Sequence, residues 1–168
     1  MNCIFILFPI ILNWNTFEAE KSNFQVLVPA PMKYTQQVIP SEVGEIESNT
    51  YYLEFEEKDA KNYLFLINHL KYPLEMVHSD SMALTQELLE ETETQLLIEN
   101  NASLIYTDTR FYYNYPGRFL RMENETSVIK TQMFIIENNL YCLQVYMLKE
   151  HSMNQNAKKF LKSFALLN

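Results

Sequence analysis

Val128-Ile-Lys-Thr-Gln-Met-Phe-Ile-Ile-Glu-Asn-Asn-Leu-Tyr-Cys-Leu-Gln-Val-Tyr-Met147 consists of two apolar runs joined by a short polar break. Asparagine tolerates the positive φ of a tight turn, so Asn138-Asn139 predicts a two-residue hairpin. In that register Phe134 faces Leu143 and Ile136 faces Tyr141 on one side, while Ile135 faces Cys142 and Met133 faces Gln144 on the other. Apolar side chains therefore fall on both faces. A sheet wetted on one side alternates cleanly, so this hairpin belongs to the middle of an antiparallel sheet covered on both sides, with helices as the expected cover.

Toward the C-terminus, Ser152-Met-Asn-Gln155 has capping-box spacing and precedes a helix with Ala157, Phe160, Leu161 and Phe164 on one face and Lys158, Lys159 and Lys162 on the other. Upstream, residues 104–113 and 118–122 read as strands. The period then changes. Over 80–100, Met82, Leu89 and Leu96 recur every seven residues, with Leu88 and Thr92 between them, which predicts an amphipathic helix. Asp80 is its expected N-cap and Asn100-Asn101 its expected end. Glu87, Glu90, Glu91 and Glu93 read as its solvated face rather than a calcium site. Earlier still, Phe24, Val26 and Val28 alternate until Pro29 and Pro31 stop the strand. Extended pattern continues through 34–39 and 43–55, with Gly44 expected at a bulge or bend, and then through Tyr63-Leu-Phe-Leu-Ile67 to Tyr72-Pro73. Four or five strands, a helix, a strand meander and a last helix imply an α+β domain with a central antiparallel sheet flanked by helices, spanning 14–168. No internal repeat interrupts it.

The composition agrees with a single folded domain. Of 168 residues 48% are hydrophobic, and there are only two Gly and six Pro, which excludes disorder and low-complexity linker as descriptions of the whole. The net charge of −8 disfavours generic binding to nucleic acid or anionic lipid. Cys3 and Cys142 form neither a disulfide framework nor a zinc knuckle, and Cys142 reads as a small buried hydrophobe. Ile4 to Leu12 is apolar, too short to span a bilayer and suited to the core of a secretory signal. Residues 1–13 thus read as a truncated signal peptide lacking a basic start and a small-residue cleavage site. The alternative is a buried first strand in a cytoplasmic protein. Cys3 precedes the apolar run, so lipid attachment there is not supported.

Chemistry-bearing residues are few. Tyr115-Pro-Gly-Arg118 has the composition of a type II turn. The three arginines, Arg110, Arg118 and Arg121, fall in one hairpin region with Tyr113 and Tyr115, which makes these five residues the candidate contacts for a carboxylate, a phosphate or a protein partner. Structural salt bridges are the plainer reading of the same arginines. His69, His78 and His151 have no metal-ligand spacing, and neither a Gly-x-Ser-x-Gly elbow nor a nucleotide-binding glycine loop is present, so no catalytic residue, metal or cofactor is assigned. The sequons Asn101-Ala-Ser103 and Asn124-Glu-Thr126 are read as chance. In Phe111-Tyr-Tyr-Asn-Tyr115 successive rings must point both ways from a strand, some into the core and some outward as a partner surface.

Trp14-x-x-Phe17 leading to Phe24-Gln-Val-Leu-Val-Pro29, then Val43-Gly-Glu-Ile46, Tyr115-Pro-Gly-Arg118, Asn138-Asn-Leu-Tyr141 and Phe160-Leu-Lys-Ser-Phe164 resemble the PsbP-like group of α/β/α sandwiches, and in particular its uncharacterised exported bacterial proteins. The resemblance spans 14–168. It implies that fold, and a non-enzymatic accessory or binding protein outside the cytoplasm whose partner is a protein or another envelope component. Two alternatives stay open: a hydrolase-like enzyme using Tyr115 to Arg121, and a cytosolic module of the Ran-binding kind. No functional residue carries over from the group, because these motifs are mostly structural.

Overall fold

The structure is a computed structural model and describes residues 13–42, 44–55 and 60–167. The expected leader, residues 1–13, lies outside the described residues except for Asn13. Five strands come first: β1 (Asn15–Ala19), β2 (Phe24–Val28), β3 (Lys33–Ser41), β4 (Gly44–Glu54) and β5 (Leu64–Lys71). Helix α1 (Met82–Glu99) follows, then β6 (Ser103–Tyr112), β7 (Tyr115–Glu123), β8 (Ser127–Ile136) and β9 (Asn139–Leu148), and finally helix α2 (Gln155–Lys162) and the short β10 (Ala165–Leu166). Short 3-10 turns occupy Glu20–Ser22 and Lys149–His151.

A seven-stranded antiparallel sheet runs in the order β3-β4-β5-β9-β8-β7-β6, with the β8–β9 hairpin inside it as expected. Two apolar clusters lie on its two faces. On one face Phe134, Ile136, Tyr141, Leu143, Phe65 and Ile67 pack against Phe24, Val26, Phe160 and Phe164, which come from a second sheet, β1-β2-β10, from α2 and from the link between α2 and β10. On the other, Leu120, Met122, Ile129, Met133, Ile135 and Cys142 pack against Leu89 and Leu96 of α1 and Val77 of the 72–79 loop. The expected helix-flanked sheet is thereby corrected: one cover is a small sheet together with α2, and the protein is mainly a β sandwich. Pairing β1 and β10 to β2 satisfies backbone groups that two isolated strand segments would leave bare, which is why a sheet forms there.

Local corrections have local causes. The β8–β9 turn is Glu137-Asn138, with Glu137 at φ 55, so Phe134 pairs with Tyr141 and Ile135 with Leu140. The register is two residues from the expected one. A slip of two preserves the faces, so each side chain still points where the sequence placed it. The 72–79 loop holds the turn: Ser79 donates its backbone N–H to the Glu137 carbonyl at 2.8 Å and Tyr72 to the Asn138 carbonyl at 2.9 Å. Tyr115-Pro-Gly-Arg118 is strand rather than turn; the turn is Tyr113-Asn114, with Tyr113 at φ 51. Gly117 is required by contact, since a Cβ there would sit 2.3 Å from the Met133 carbonyl oxygen and 2.4 Å from the Phe134 ring. Of the bulge or bend expected at Gly44 the structure has the bend: at φ 138 it pairs with Ser41 where the β3–β4 hairpin closes. The helix caps also move: Ser81 caps α1 in place of Asp80, and Asn154 caps α2 in place of Ser152, accepting from the Ala157 N–H at 3.1 Å.

Candidate functional site

Helix α1 approaches the large sheet at β7, and its two buried leucines, Leu89 and Leu96, sit in the cluster formed by β7, β8 and β9. The β3–β4–β5 half of that face is left without a helix. The register explains its chemistry. Gln37, Ser48, Leu70 and Leu140 form one row across the strands, and Thr35, Thr50, Asn68 and Cys142 form the next, polar toward β3 and apolar toward β9. The opposite side of the same strands carries the buried Tyr51, Leu53, Phe65 and Ile67. Between the polar half-sheet and the flank of α1 lies an open groove of about 780 Å³, within the usual range for a small-ligand site.

The walls of this groove are uneven in charge. Glu90, Glu91 and Glu99 of α1 line it with Thr92 and Gln95, and no Lys, Arg or His is among the lining residues. Tyr72 closes one end, and burial pushes its hydroxyl up to about 12, with Glu91 adding to the effect. Burial likewise pushes the Cys142 thiol up to about 12, reinforced by Glu99, so the thiol at the floor is protonated at neutral pH and a poor nucleophile. Thr50 donates to Asn68 Oδ1 at 3.0 Å, which orders the centre of the floor.

The residues singled out in the sequence are placed elsewhere and do not converge. Arg118 shares the α1 side of β7 with Leu120 and Met122, and its guanidinium donates to Glu93 at 2.8 Å with Glu90 at 3.8 Å. Arg110 and Arg121 lie on the other face: Arg110 pairs with Asp108 at 2.8 Å over the Phe119 ring, and Arg121 pairs with Glu123 at 2.8 Å. The Nε of Arg121 is buried without a hydrogen-bond partner among the described residues. Beside Arg121, burial lowers the pKa of Lys130, which donates to the Ser152 carbonyl at 2.6 Å. Tyr113 is 84% exposed at the tip of the β6–β7 hairpin, whereas Tyr115 packs against the core. The aromatic run divides as the alternation demands: Phe111 points outward and Tyr112 inward, its hydroxyl accepting from the Leu166 N–H at 2.9 Å. The sequence reading missed the groove, although its signal was present: Ser48 and Thr50 alternate with Asn49 and Tyr51, a strand with one polar and one packed face.

Among the described residues, no three His, Cys, Asp or Glu side chains are grouped to hold a metal ion, and no helix is long and apolar enough to cross a membrane. No family model matches the sequence, and no curated protein does. Among solved structures, the solution structure of cyanobacterial PsbP (CyanoP) from Synechocystis sp. PCC 6803 superposes with a TM-score of 0.62 over 99% of this chain and 98% of that one, at 10% identity. At that identity the likeness concerns the arrangement of strands and helices and not their chemistry. The chain has a PsbP-like fold.

Proposed function

We propose that this protein is a non-enzymatic accessory or binding protein that works outside the cytoplasm, and that the groove between α1 and the β3–β4–β5 half-sheet is its binding site. One observation carries the reading: an open groove of about 780 Å³ with a hydrogen-bonding floor, whose buried titratable groups, Tyr72 and Cys142, are both held near 12. A general acid or base works best with a pKa near the operating pH, and neither group meets that condition. Binding needs only shape and hydrogen bonds, which Gln37, Ser48, Thr50 and Asn68 supply. The apolar stretch 4–12 and the PsbP-like fold support an extracytoplasmic setting. The hydrolase-like alternative has less support, because Arg118 faces α1 while Arg110 and Arg121 face the other side of the sheet.

Fractionation of the native host under non-denaturing conditions, with the mature N-terminus read by mass spectrometry, tests this reading. The expected result is recovery outside the cytoplasm in an assembly larger than the free chain, with Thr92→Trp, which fills the groove from α1, released at monomer size. A chain of monomer size in both forms, or one with Met1 intact in the cytosol, would overturn it.

A further inference from the structure

Strand β6 is one outer edge of the seven-stranded sheet, and among the described residues no strand lies on its far side. All of its residues except Tyr112 are exposed. Natural edges of this length are usually blunted by Lys, Pro or a charge turned inward, because a bare row of N–H and C=O groups pairs with any strand it meets. The opposite edge, β3, carries Lys33 and Pro40, whereas β6 has neither residue type. Its register shifts only between Leu104 and Tyr106, so residues 106–112 form a regular stretch that runs to the Tyr113-Asn114 turn. Thr109 is its midpoint.

The turn sets the hydrogen-bond phase of this stretch. Tyr112 and Tyr115 close a two-residue loop as a bonded pair, and every second pair from there, Arg110 with Gly117, Asp108 with Phe119 and Tyr106 with Arg121, is bonded too. Phe111 lies opposite Pro116, which has no N–H to give, in agreement with that phase. Thr107, Thr109 and Phe111 therefore turn their N–H and C=O groups to the open edge. A second copy of β6 laid antiparallel presents the same residues in the same phase. Pairing about Thr109 sets Thr109 on Thr109 and Thr107 on Phe111 as bonded pairs, with Asp108 on Arg110 as the closer pair between them. Within one chain Asp108 and Arg110 already pair at 2.8 Å, both half-exposed, on the face where Arg110 and Tyr106 rest against Phe119. Across the two-fold axis each gains a second opposite charge. Sliding the second copy by two residues keeps the phase but sets Asp108 on Asp108 or Arg110 on Arg110. Like charges directly opposite are destabilising, so the charge pattern selects the register centred on Thr109. In that register Phe111, 65% exposed in the single chain, gains Thr107 as a cross-strand neighbour.

We propose that two copies of this chain associate through β6, antiparallel about a two-fold axis at Thr109, which joins their large sheets edge to edge. The same surface is used by both copies, so association closes at two. A contact of one short strand on another belongs to the small class below about 1,200 Å², and the dimer separates into single chains at the dilution of a cell extract. The groove lies toward the other edge of the sheet, so this surface is independent of it. Sedimentation equilibrium of the full chain, over about a hundredfold range of concentration, tests the proposal. The mass is expected to rise from one chain to two and to stop there. Asp108→Arg and Arg110→Asp should each weaken association by about tenfold or more, since each sets like charges face to face. An equimolar mixture of those two variants should associate again, because the acidic pair of one then faces the basic pair of the other. Thr109→Pro removes an N–H that points to the open edge and should abolish the dimer, whereas Thr92→Trp should leave it unchanged. Circular dichroism of each variant establishes that it is folded. A single-chain mass at every concentration overturns the proposal, as does a dimer that survives Asp108→Arg and Arg110→Asp, or a mixture of the two that stays apart. Growth beyond two copies overturns it as well, since that marks open assembly of β6 on β3.

Discussion

His69 is only 4% exposed, with its ring stacked on Tyr141 at 4.7 Å between centroids. Its Nε2 donates to Asn139 Oδ1 at 2.9 Å, and its Nδ1 accepts from Asn49, whose own oxygen accepts from the Tyr34 hydroxyl at 2.8 Å. This chain of neutral hydrogen bonds ties β3, β4, β5 and the start of β9 together. Protonation would break the bond to Asn49, because imidazolium has no acceptor nitrogen. Burial accordingly lowers the pKa of His69 from its ordinary 6.5, so the unfolded chain takes the proton more readily than the folded one. The contribution of the neutral ring to stability is complete above pH 6.5 and is lost as pH falls from there through the folded value. Urea midpoints are expected to drop as pH falls below 6.5, before carboxylate titration dominates below about pH 5, and His69→Gln should flatten that slope. An unchanged slope in His69→Gln would assign the loss to other groups. The sequence showed a lone histidine without metal spacing. Its partners, Asn49 and Asn139, are twenty and seventy residues away, so nothing local revealed the role.

Elements were legible where period and composition agreed. Five strands precede α1 and the β6–β9 meander follows it, because alternating runs bounded by Pro and Asn leave few other readings. The faces of β8 and β9 were legible too. Turns and caps were not, since a neighbouring element chooses between near-equal candidates: the 72–79 loop draws Glu137-Asn138 into the β8–β9 turn, and Asn154, bonded to Asn62 at 2.9 Å, takes the cap expected at Ser152. The short strand β10 carries two residues and no signal of its own. Docking of α1 depends on a pair the sequence could not join, Arg118 and Glu93. Each side chain is only 15% exposed, and they meet at 2.8 Å. Arg118→Ala leaves the largely buried Glu93 without its cation, and the expected cost is about 1.5–3 kcal/mol, with the double change Arg118→Ala and Glu93→Ala costing less than the sum of the two single changes in a double-mutant cycle. Additive losses from the two changes would mean that the ion pair does not hold the helix. The arginine singled out as a candidate contact thus has a structural partner, and the exposed Glu90 beside it adds little.

At the scale of the molecule, the decisive asymmetry is a seven-stranded sheet whose one face is packed across its central strands by a small sheet and α2, while α1 covers the other only over β7, β8 and β9. Phe24, Phe160, Phe164 and their neighbours fill the middle of the first face, whereas the single helix of 18 residues on the second packs against β7 and leaves the β3–β4–β5 half bare. A sheet of that width at about 4.8 Å per strand is wider than the helix it carries. The groove is what remains. Sequence period could place α1 beside a sheet but not over a particular half of it, because the order β5-β9-β8-β7-β6 becomes fixed only when distant strands pair. Thus the fold class was legible in part and the candidate site was not: the residues picked out for their chemistry are spread over two faces, and the groove is assembled from ordinary Ser, Thr, Asn and Gln side chains of separate strands. The most direct measurement is photo-crosslinking in the native host from a reactive side chain placed at Gln95, on the groove wall, compared with one at Gln155, exposed on α2 across the sheet. The expected result is a discrete crosslinked species from Gln95, absent from Gln155 and abolished by Thr92→Trp. Crosslinks of equal yield from both positions, or none from Gln95, would contradict binding through the groove.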